Sequence, residues 1–522
     1  MYGAFKSLFF KVFFYITLFL LTYSFCVKFN VLDYDLWARL IQGWHVVVHH
    51  SVMYQDIVSY TNTHVWYDPE WLSSAFIYMI AHKFHGAGLT LLKVFLLYAF
   101  FISIIISLKS LIKSKESPYN TAYFVFLLAL LVQSSIATYT VRCQLITFIF
   151  FAVWIYLLEL VRKGHDTILY FLPFIMLLWL NLHGGCIAGV GILVLYAIGE
   201  FLNKKPFKKY LITLFFVGLV FFINPWGIQY VKFMFESSYL DRSWIAEWQS
   251  PFVKGSNFLY KISLIALFFC YIFKIIKNKI NIMSIDKTKL IVLLMLIFLS
   301  AKYIKHIGLY SAGISIFMYE DFYYCYHYFM EKIRIYLQIE KSNIPKISFV
   351  RNIFLYGLIY LYCTVTIFLY PLNVSYYSLT AQSFPLKAID FMLENNIKGN
   401  IFAPFYLSSY IAYKGYPNLK IYMDGRQEQV YYSDIFDKEM FFMDKIGKKY
   451  LNVLSEYNHD IILLDKTFKV VKDIETLDSW RKIYDDEFYV VFVKKELVKF
   501  KYNKTSKSED EILNTLFNSS FQ

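Results

Sequence analysis

The chain has 522 residues, of which 58% are hydrophobic and 21% aromatic, and 52 Lys and Arg against 38 Asp and Glu give a net charge of +14. Charged residues make up 17%, against about 25% in soluble globular proteins, so the composition argues for a protein embedded in a membrane. The basic excess does not point to nucleic acid, because the lysines sit in short loops between apolar segments, where they report membrane orientation.

The first apolar stretch, near 12–27, is followed by no small-residue cleavage site, so it reads as a retained anchor rather than a removed signal. About eleven segments have roughly the length needed to cross the hydrocarbon core, near 8–28, 89–108, 121–137, 145–161, 168–182, 186–202, 211–224, 261–276, 290–304, 309–328 and 353–371. Alternate loops are basic. They carry Lys109, Lys113 and Lys115; Arg162 and Lys163; Lys204, Lys205, Lys208 and Lys209; Lys277, Lys279, Lys287 and Lys289; Lys332, Arg334, Lys341, Lys346 and Arg351. Excess Lys and Arg marks the cytoplasmic side, so the pattern predicts a cytoplasmic N-terminus and, with an odd number of spans, an extracytoplasmic C-terminus.

The expected fold is an α-helical integral membrane protein with a small C-terminal α/β domain. Residues 1–374 read as the membrane domain, with long external loops at 29–88 and 225–260, and residues 375–522 as the extracytoplasmic domain. In that domain a helix is expected at 385–395, opened by a proline. Short strands are expected at 401–404, 420–423, 460–464 and 488–493, helices near 432–443 and 446–457, and a loosely ordered polar tail from Lys501. Cys26, Cys143, Cys186, Cys270, Cys325 and Cys363 lie in or beside apolar segments with no C-x-x-C, so neither disulfides nor a zinc finger are expected.

The most informative segment begins where the first span ends, at Leu32-Asp33-Tyr34-Asp35-Leu36-Trp37-Ala38-Arg39-Leu40. Asp33 and Asp35 would not share a face of a helix; in a turn both could point into one site, where their repulsion would raise one pKa or invite a cation. A cap for the following helix is the plainer alternative. The same loop contains Trp66-Tyr67-Asp68-Pro69-Glu70-Trp71-Leu72, an acidic pair in an aromatic frame, and His45/His49 at i, i+4, a spacing that can chelate a metal but reads first as a surface helix.

Several other segments between spans hold polar groups that are costly at membrane depth. They are Arg142 and Gln144; Asn181 and His183 within Trp179-Leu180-Asn181-Leu182-His183-Gly184-Gly185; Lys302, Lys305 and His306; and Arg242, Glu247, Trp248 and Gln249 in the second long loop. All fall on the predicted outer side, and cations gathered there would hold a phosphate or pyrophosphate. The C-terminal domain adds Met423-Asp424-Gly425-Arg426-Gln427-Glu428, in which D-G reads as a tight turn after a strand. There is no P-loop, no H-E-x-x-H and no nucleophile elbow.

In this order, the Asp33-x-Asp35-x-Trp37 opening, Tyr67-Asp68-Pro69-Glu70-Trp71-Leu72, Arg142-x-Gln144, Trp179-x-Asn181-x-His183-Gly184-Gly185, Asn224-Pro225-Trp226-Gly227 and Glu247-Trp248-Gln249 make the chain resemble the GT-C superfamily of multispanning glycosyltransferases. It looks most like the bacterial branch related to the protein O-mannosyltransferase and aminoarabinose transferase families. The resemblance covers nearly the whole chain. It implies an inverting enzyme of the bacterial cytoplasmic membrane that takes a sugar from a polyprenyl-phosphate-type donor and passes it to a glycan, lipid or protein acceptor at the outer face. By position it implies Asp35 as general base with Asp33 as second candidate, Glu70 orienting the acceptor, and Arg142, Lys302, Lys305 and His306 around the donor phosphate. Gln144, Asn181, His183, Arg242 and Glu247 would complete the cavity. A divalent cation, Mg or Mn, on Asp33, Asp35 and Glu70 is left open. The sequence departs from many relatives in having Leu36, not an acid, after Asp35.

Two other classes fit the same composition. A transporter or flippase for lipid-linked saccharides would show inverted repeats and spans broken at the midplane, and no repeat is evident. A non-catalytic assembly protein that displays the external domain would tolerate loss of Asp33 and Asp35.

Overall fold

The computed structural model describes residues 2–28, 32–111, 140–240, 242, 245–253, 257–277, 285–340, 344–370, 384–498, 502–503, 511–512, 515–517 and 521. The chain divides into two compact units. One comprises Met1–Phe29 and Leu91–Leu372, the other Asn30–Thr90 and Asn373–Gln522. The first long loop, expected to be external and grouped by sequence with the membrane domain, therefore folds with the C-terminal domain.

The first unit is helical. Among the described residues four helices are long and apolar enough to cross a membrane: Trp71–Leu111, Gln144–Arg162, Gly184–Leu202 and Phe258–Ile276. Trp71–Leu111 has 41 residues and leaves helical geometry at His85 (φ 52°, ψ −150°). About eleven spans were expected from the apolar segments, and several of these form shorter helices. Leu172–Leu182 has 11 residues, which at 1.5 Å per residue is about half of a ~30 Å hydrocarbon core. The expected span at 309–328 is divided at Met318 between Ile307–Phe317 and Tyr319–Tyr336, and the second piece opens with Glu320 and Asp321. The expected span at 121–137 lies outside the described residues. Large apolar side chains such as Phe174, Phe215, Ile265 and Phe298 stand exposed on these helices, a surface suited to lipid rather than water. Helices Ile187–Leu202 and Lys287–Lys302 meet at Gly199, where a Cβ would come within 2.4 Å of Thr288 Cα. Small residues permit such backbone approach between apolar helices.

Polar groups collect at the ends of these helices. At one end Arg162 pairs with Glu159 at 3.0 Å, Glu200 at 2.8 Å and Asp286 at 2.6 Å, and Asn203 Nδ2 donates to Asp286 at 3.1 Å. The opposite ends of the same helices carry Arg142, His183 and Lys302.

The second unit is built on a five-stranded sheet of order β2-β1-β3-β5-β4. β1 (Gly399–Phe402) runs parallel to β2 (Leu419–Ile421) and to β3 (Ile461–Asp465). β5 (Tyr489–Lys494) is antiparallel to β3 and to β4 (Trp480–Asp485). Ile461, Ile462, Leu463 and Leu464 are all buried, as in a strand covered on both faces. Four strands match the expected segments. β4 was not expected, because Arg481, Lys482 and Asp485 break its apolar pattern; charged residues are a usual feature of an edge strand. The other edge, β2, is capped by the first loop: Tyr60 N–H donates to Ile421 O at 3.1 Å, and Ile421 N–H to Val58 O at 2.9 Å.

Helix Leu36–His49 buries Leu36, Trp37, Leu40 and Ile41, with the Trp37 ring 5.0 Å from Tyr410 and 5.2 Å from Tyr413. The C-terminal tail, expected to be loose, contributes Ile512, Leu516, Phe517 and Phe521 to this interior. Phe517 O accepts from the Tyr413 hydroxyl at 2.8 Å. These apolar residues, dispersed through a polar tail, anchor it.

Glu439 is wholly buried. Its Oε1 accepts from Phe405 N–H at 2.6 Å, and its Oε2 has no partner among the described residues. Burial, reinforced by Asp424, holds its carboxyl well above the ordinary range. The folded chain therefore keeps this proton at pH values where the unfolded chain has lost it, and stability falls as pH rises above the unfolded value near 4.5. Glu439→Gln should raise the Tm of the detergent-solubilised protein at pH 7–8. The gain should vanish as the pH falls to about 4, where both states of the wild-type side chain are protonated.

Candidate functional site

The acidic loop turns on Asp33. Its buried carboxylate accepts from Asp35 N–H at 3.0 Å, and its carbonyl accepts from Leu36 N–H at 3.2 Å, which tightens the chain into helix Leu36–His49. Asp35 occupies the N-cap position without a side-chain capping bond and is exposed. The two carboxylates are thus divided: Asp33 is used inside the turn, and Asp35 is presented at its surface.

One turn along, the buried Arg39 takes Asp68 and Glu70 as partners, Glu70 Oε2 at 3.1 Å, and its Nη2 donates to Gln429 Oε1 at 3.3 Å. Asp68 also accepts from Glu70 N–H at 2.9 Å. Burial pushes the Asp68 carboxyl up against the opposing pull of Arg39. Glu70 is partly exposed, so it can both fix Arg39 and face solvent.

A second guanidinium, Arg426, is also buried. Its Nε donates to Asp424 at 2.8 and 2.9 Å, its Nη1 to Asp56 at 2.7 Å and its Nη2 to the Tyr431 hydroxyl at 2.9 Å, with Trp66 stacked 4.6 Å from Cζ. Arg426 is therefore a structural clamp inside this unit. Asp56, Gln429 and Tyr431 were not singled out by sequence; their importance comes from contacts across about 370 residues, for which a single sequence offers no local signal.

In the first unit, Arg142 Nη1 donates to both carboxylate oxygens of Glu247, at 2.9 and 2.8 Å. The neighbouring Trp248 carries Arg242 over its ring at 4.5 Å and Lys305 at 3.1 Å. Tyr303 packs edge-on against Trp248 at 5.2 Å, and Ile304 N–H donates to Gln249 O at 3.0 Å, which docks the 246–250 segment onto 301–306. Lys302 lies over Tyr303 at 4.9 Å. Burial and the adjacent Lys305 push His306 down to about 3, so this imidazole is neutral at physiological pH. Among the described residues Arg142, Arg242 and Lys305 gather at the Glu247–Trp248 turn, side chains of the kind that bind anions. Trp248 organises this set, and the two cations over its ring are the reason its place between Glu247 and Gln249 matters.

His183 and Asn181 serve other contacts. Gly185 N–H donates to His183 Nδ1 at 2.9 Å, which leaves the ring proton on Nε2; the Thr147 hydroxyl is 2.7 Å from the same nitrogen. Asn181 Nδ2 donates to the carbonyls of Leu177 and Ile223 at 2.9 and 3.2 Å, tying two chain segments together. Gln144 opens helix Gln144–Arg162.

Among the described residues no group of three or more His, Cys, Asp or Glu is arranged to hold a metal ion. Asp33, Asp35 and Glu70 form no such group. His45 and His49 approach at 4.7 Å between ring centroids, with His45 Nδ1 2.9 Å from Ser51 O; no third metal-binding side chain joins them among the described residues. No family model matches the chain, and no curated protein matches it.

Arg426→Ala would leave Asp56 and Asp424 buried against each other without their cation, a loss of about 3–5 kcal/mol for a broken buried pair. Glu247→Ala breaks a pair whose side chains are about one-fifth exposed and should lower the Tm far less. Thermal unfolding of the two variants side by side tests this ordering.

Proposed function

We propose that the chain is a membrane glycosyltransferase that transfers a sugar from a polyprenyl-phosphate-type lipid to an acceptor hydroxyl at the outer face of the bacterial cytoplasmic membrane. The observation that carries the reading is the meeting of Arg142, Arg242 and Lys305 at the Glu247–Trp248 turn. Three separate segments between helices contribute cations there. A lipid phosphate or pyrophosphate is the anion such a site suits at a bilayer surface. The basic loops with Lys163, Lys204 and Lys205 belong to the other ends of the helices, as expected if the phosphate-binding end lies outside.

In this mechanism Asp35 takes the proton from the acceptor hydroxyl as its oxygen attacks the anomeric carbon. The bond from that carbon to the phosphate oxygen breaks, and the phosphate leaves with the electron pair. Arg142, Arg242 and Lys305 offset the charge that develops on it, and the configuration at the anomeric carbon inverts. The exposure of Asp35, whose N–H donates to the Asp33 carboxylate and whose side chain makes no capping bond to the helix, supports its assignment as base. Glu70, held by Arg39, would orient the acceptor.

Membranes containing the protein should transfer label from radiolabelled polyprenyl-phosphate sugars to an endogenous acceptor. Asp35→Asn should lower kcat about 100-fold or more, the range for loss of a general base. Arg142→Ala should raise KM for the donor. Absence of donor consumption, or full activity of Asp35→Asn, would overturn the proposal; donor crossing the bilayer unchanged would identify a transporter.

A further inference from the structure

Gly425 lies in the turn after β2, between two residues whose side chains are immobilised. Asp424 accepts from Arg426 and, at 3.0 Å, from the Ser409 hydroxyl, and Arg426 N–H donates back to Asp424 Oδ1 at 3.2 Å. A Cβ placed on Gly425 would stand 2.5 Å from Asp35 Oδ1 and 3.6 Å from Asp35 Cγ, and among the described residues nothing else lies within 4 Å of it. Its backbone is not in the left-handed region, so backbone geometry does not require glycine here. Among the described residues beyond its two chain neighbours, what a side chain at 425 would meet is the Asp35 carboxylate.

We propose that Gly425 is a positioning residue for Asp35: the missing side chain leaves the space the carboxylate occupies, and the clamped Asp424-Gly425-Arg426 turn sets the direction in which it points. The C-terminal domain thereby takes part in the reaction through its backbone, without contributing a reacting group. This role rests on the assignment of Asp35 as general base, although the contact itself does not depend on it. Neighbouring segments reinforce the arrangement, since Arg39, one helical turn beyond Asp35, is held by Gln429 from the same part of the domain.

The geometry supplies a selective test. In Gly425→Ala the new methyl meets only the end of a flexible side chain, so the fold is kept while the carboxylate is displaced. The expected result is an unchanged Tm and an unchanged KM for the donor lipid, with kcat lowered about 10- to 100-fold, the effect of misplacing a reacting group by about 1 Å. A second readout does not need activity. In Asp35→Cys, labelling by a membrane-impermeant maleimide should be slower when Gly425→Ala is added, because the methyl covers the thiol. Gly425→Ala with wild-type kcat and no effect on labelling would overturn the proposal. Full activity of Asp35→Asn together with slowed labelling would overturn the base assignment but leave the contact standing, so the two failures are distinguishable.

Discussion

One buried cation sets the form of the α/β unit. Arg426 joins Asp424, two residues away, to Asp56, 370 residues away. Two carboxylates cannot share a dry interior without a cation between them, and the Tyr431 hydroxyl and the Trp66 ring complete the shell around the guanidinium. Everything between Asp56 and Trp66 must therefore lie along the C-terminal domain, and it does so with backbone hydrogen bonds to Ile421 and Val430. Arg39 repeats the device with Asp68, Glu70 and Gln429. The acidic loop after helix Tyr2–Lys28 owes its shape to residues of the C-terminal domain.

The first unit sorts its polar residues by helix end. Arg162, Glu159, Glu200 and Asp286 form a compact ion network at one end, where each charge has partners. At the Glu247–Trp248 turn, at the other end, Arg142, Arg242 and Lys305 come together. The first arrangement holds helices together. At the second an aromatic ring orders two of the cations, since Arg242 and Lys305 both lie over Trp248.

Features set by local chemistry were legible in the sequence. Ile461–Asp465 and Tyr489–Lys494 are apolar runs between turn residues and form strands where expected. The helix opened by Pro385 is present at Leu386–Glu394, and Asp424-Gly425 forms the turn its dipeptide suggested. The span expected at 168–182 comprises a short 3-10 segment followed by helix Leu172–Leu182, and periodicity does not reveal where a helix breaks. β4 was missed because a solvent-facing edge strand carries Arg481 and Lys482 instead of alternating apolar residues. The different fates of Asp33 and Asp35 could not be read from their spacing, since a turn permits both to point the same way; only the hydrogen bond from Asp35 N–H to Asp33 separates them. Partners such as Asp56 and Gln429 are fixed by pairing over hundreds of residues, which local pattern does not encode.

The first long loop and the C-terminal domain fold as one body. Hydrogen–deuterium exchange on the full solubilised chain tests it directly, by following the amides of Tyr60, His64 and Tyr67, which donate to Ile421, Val430 and Gln429. The account predicts that they exchange slowly and with the same protection as the Ile421 amide, which donates to Val58. Exchange of the loop amides within seconds, while β1 and β3 stay protected, would contradict it.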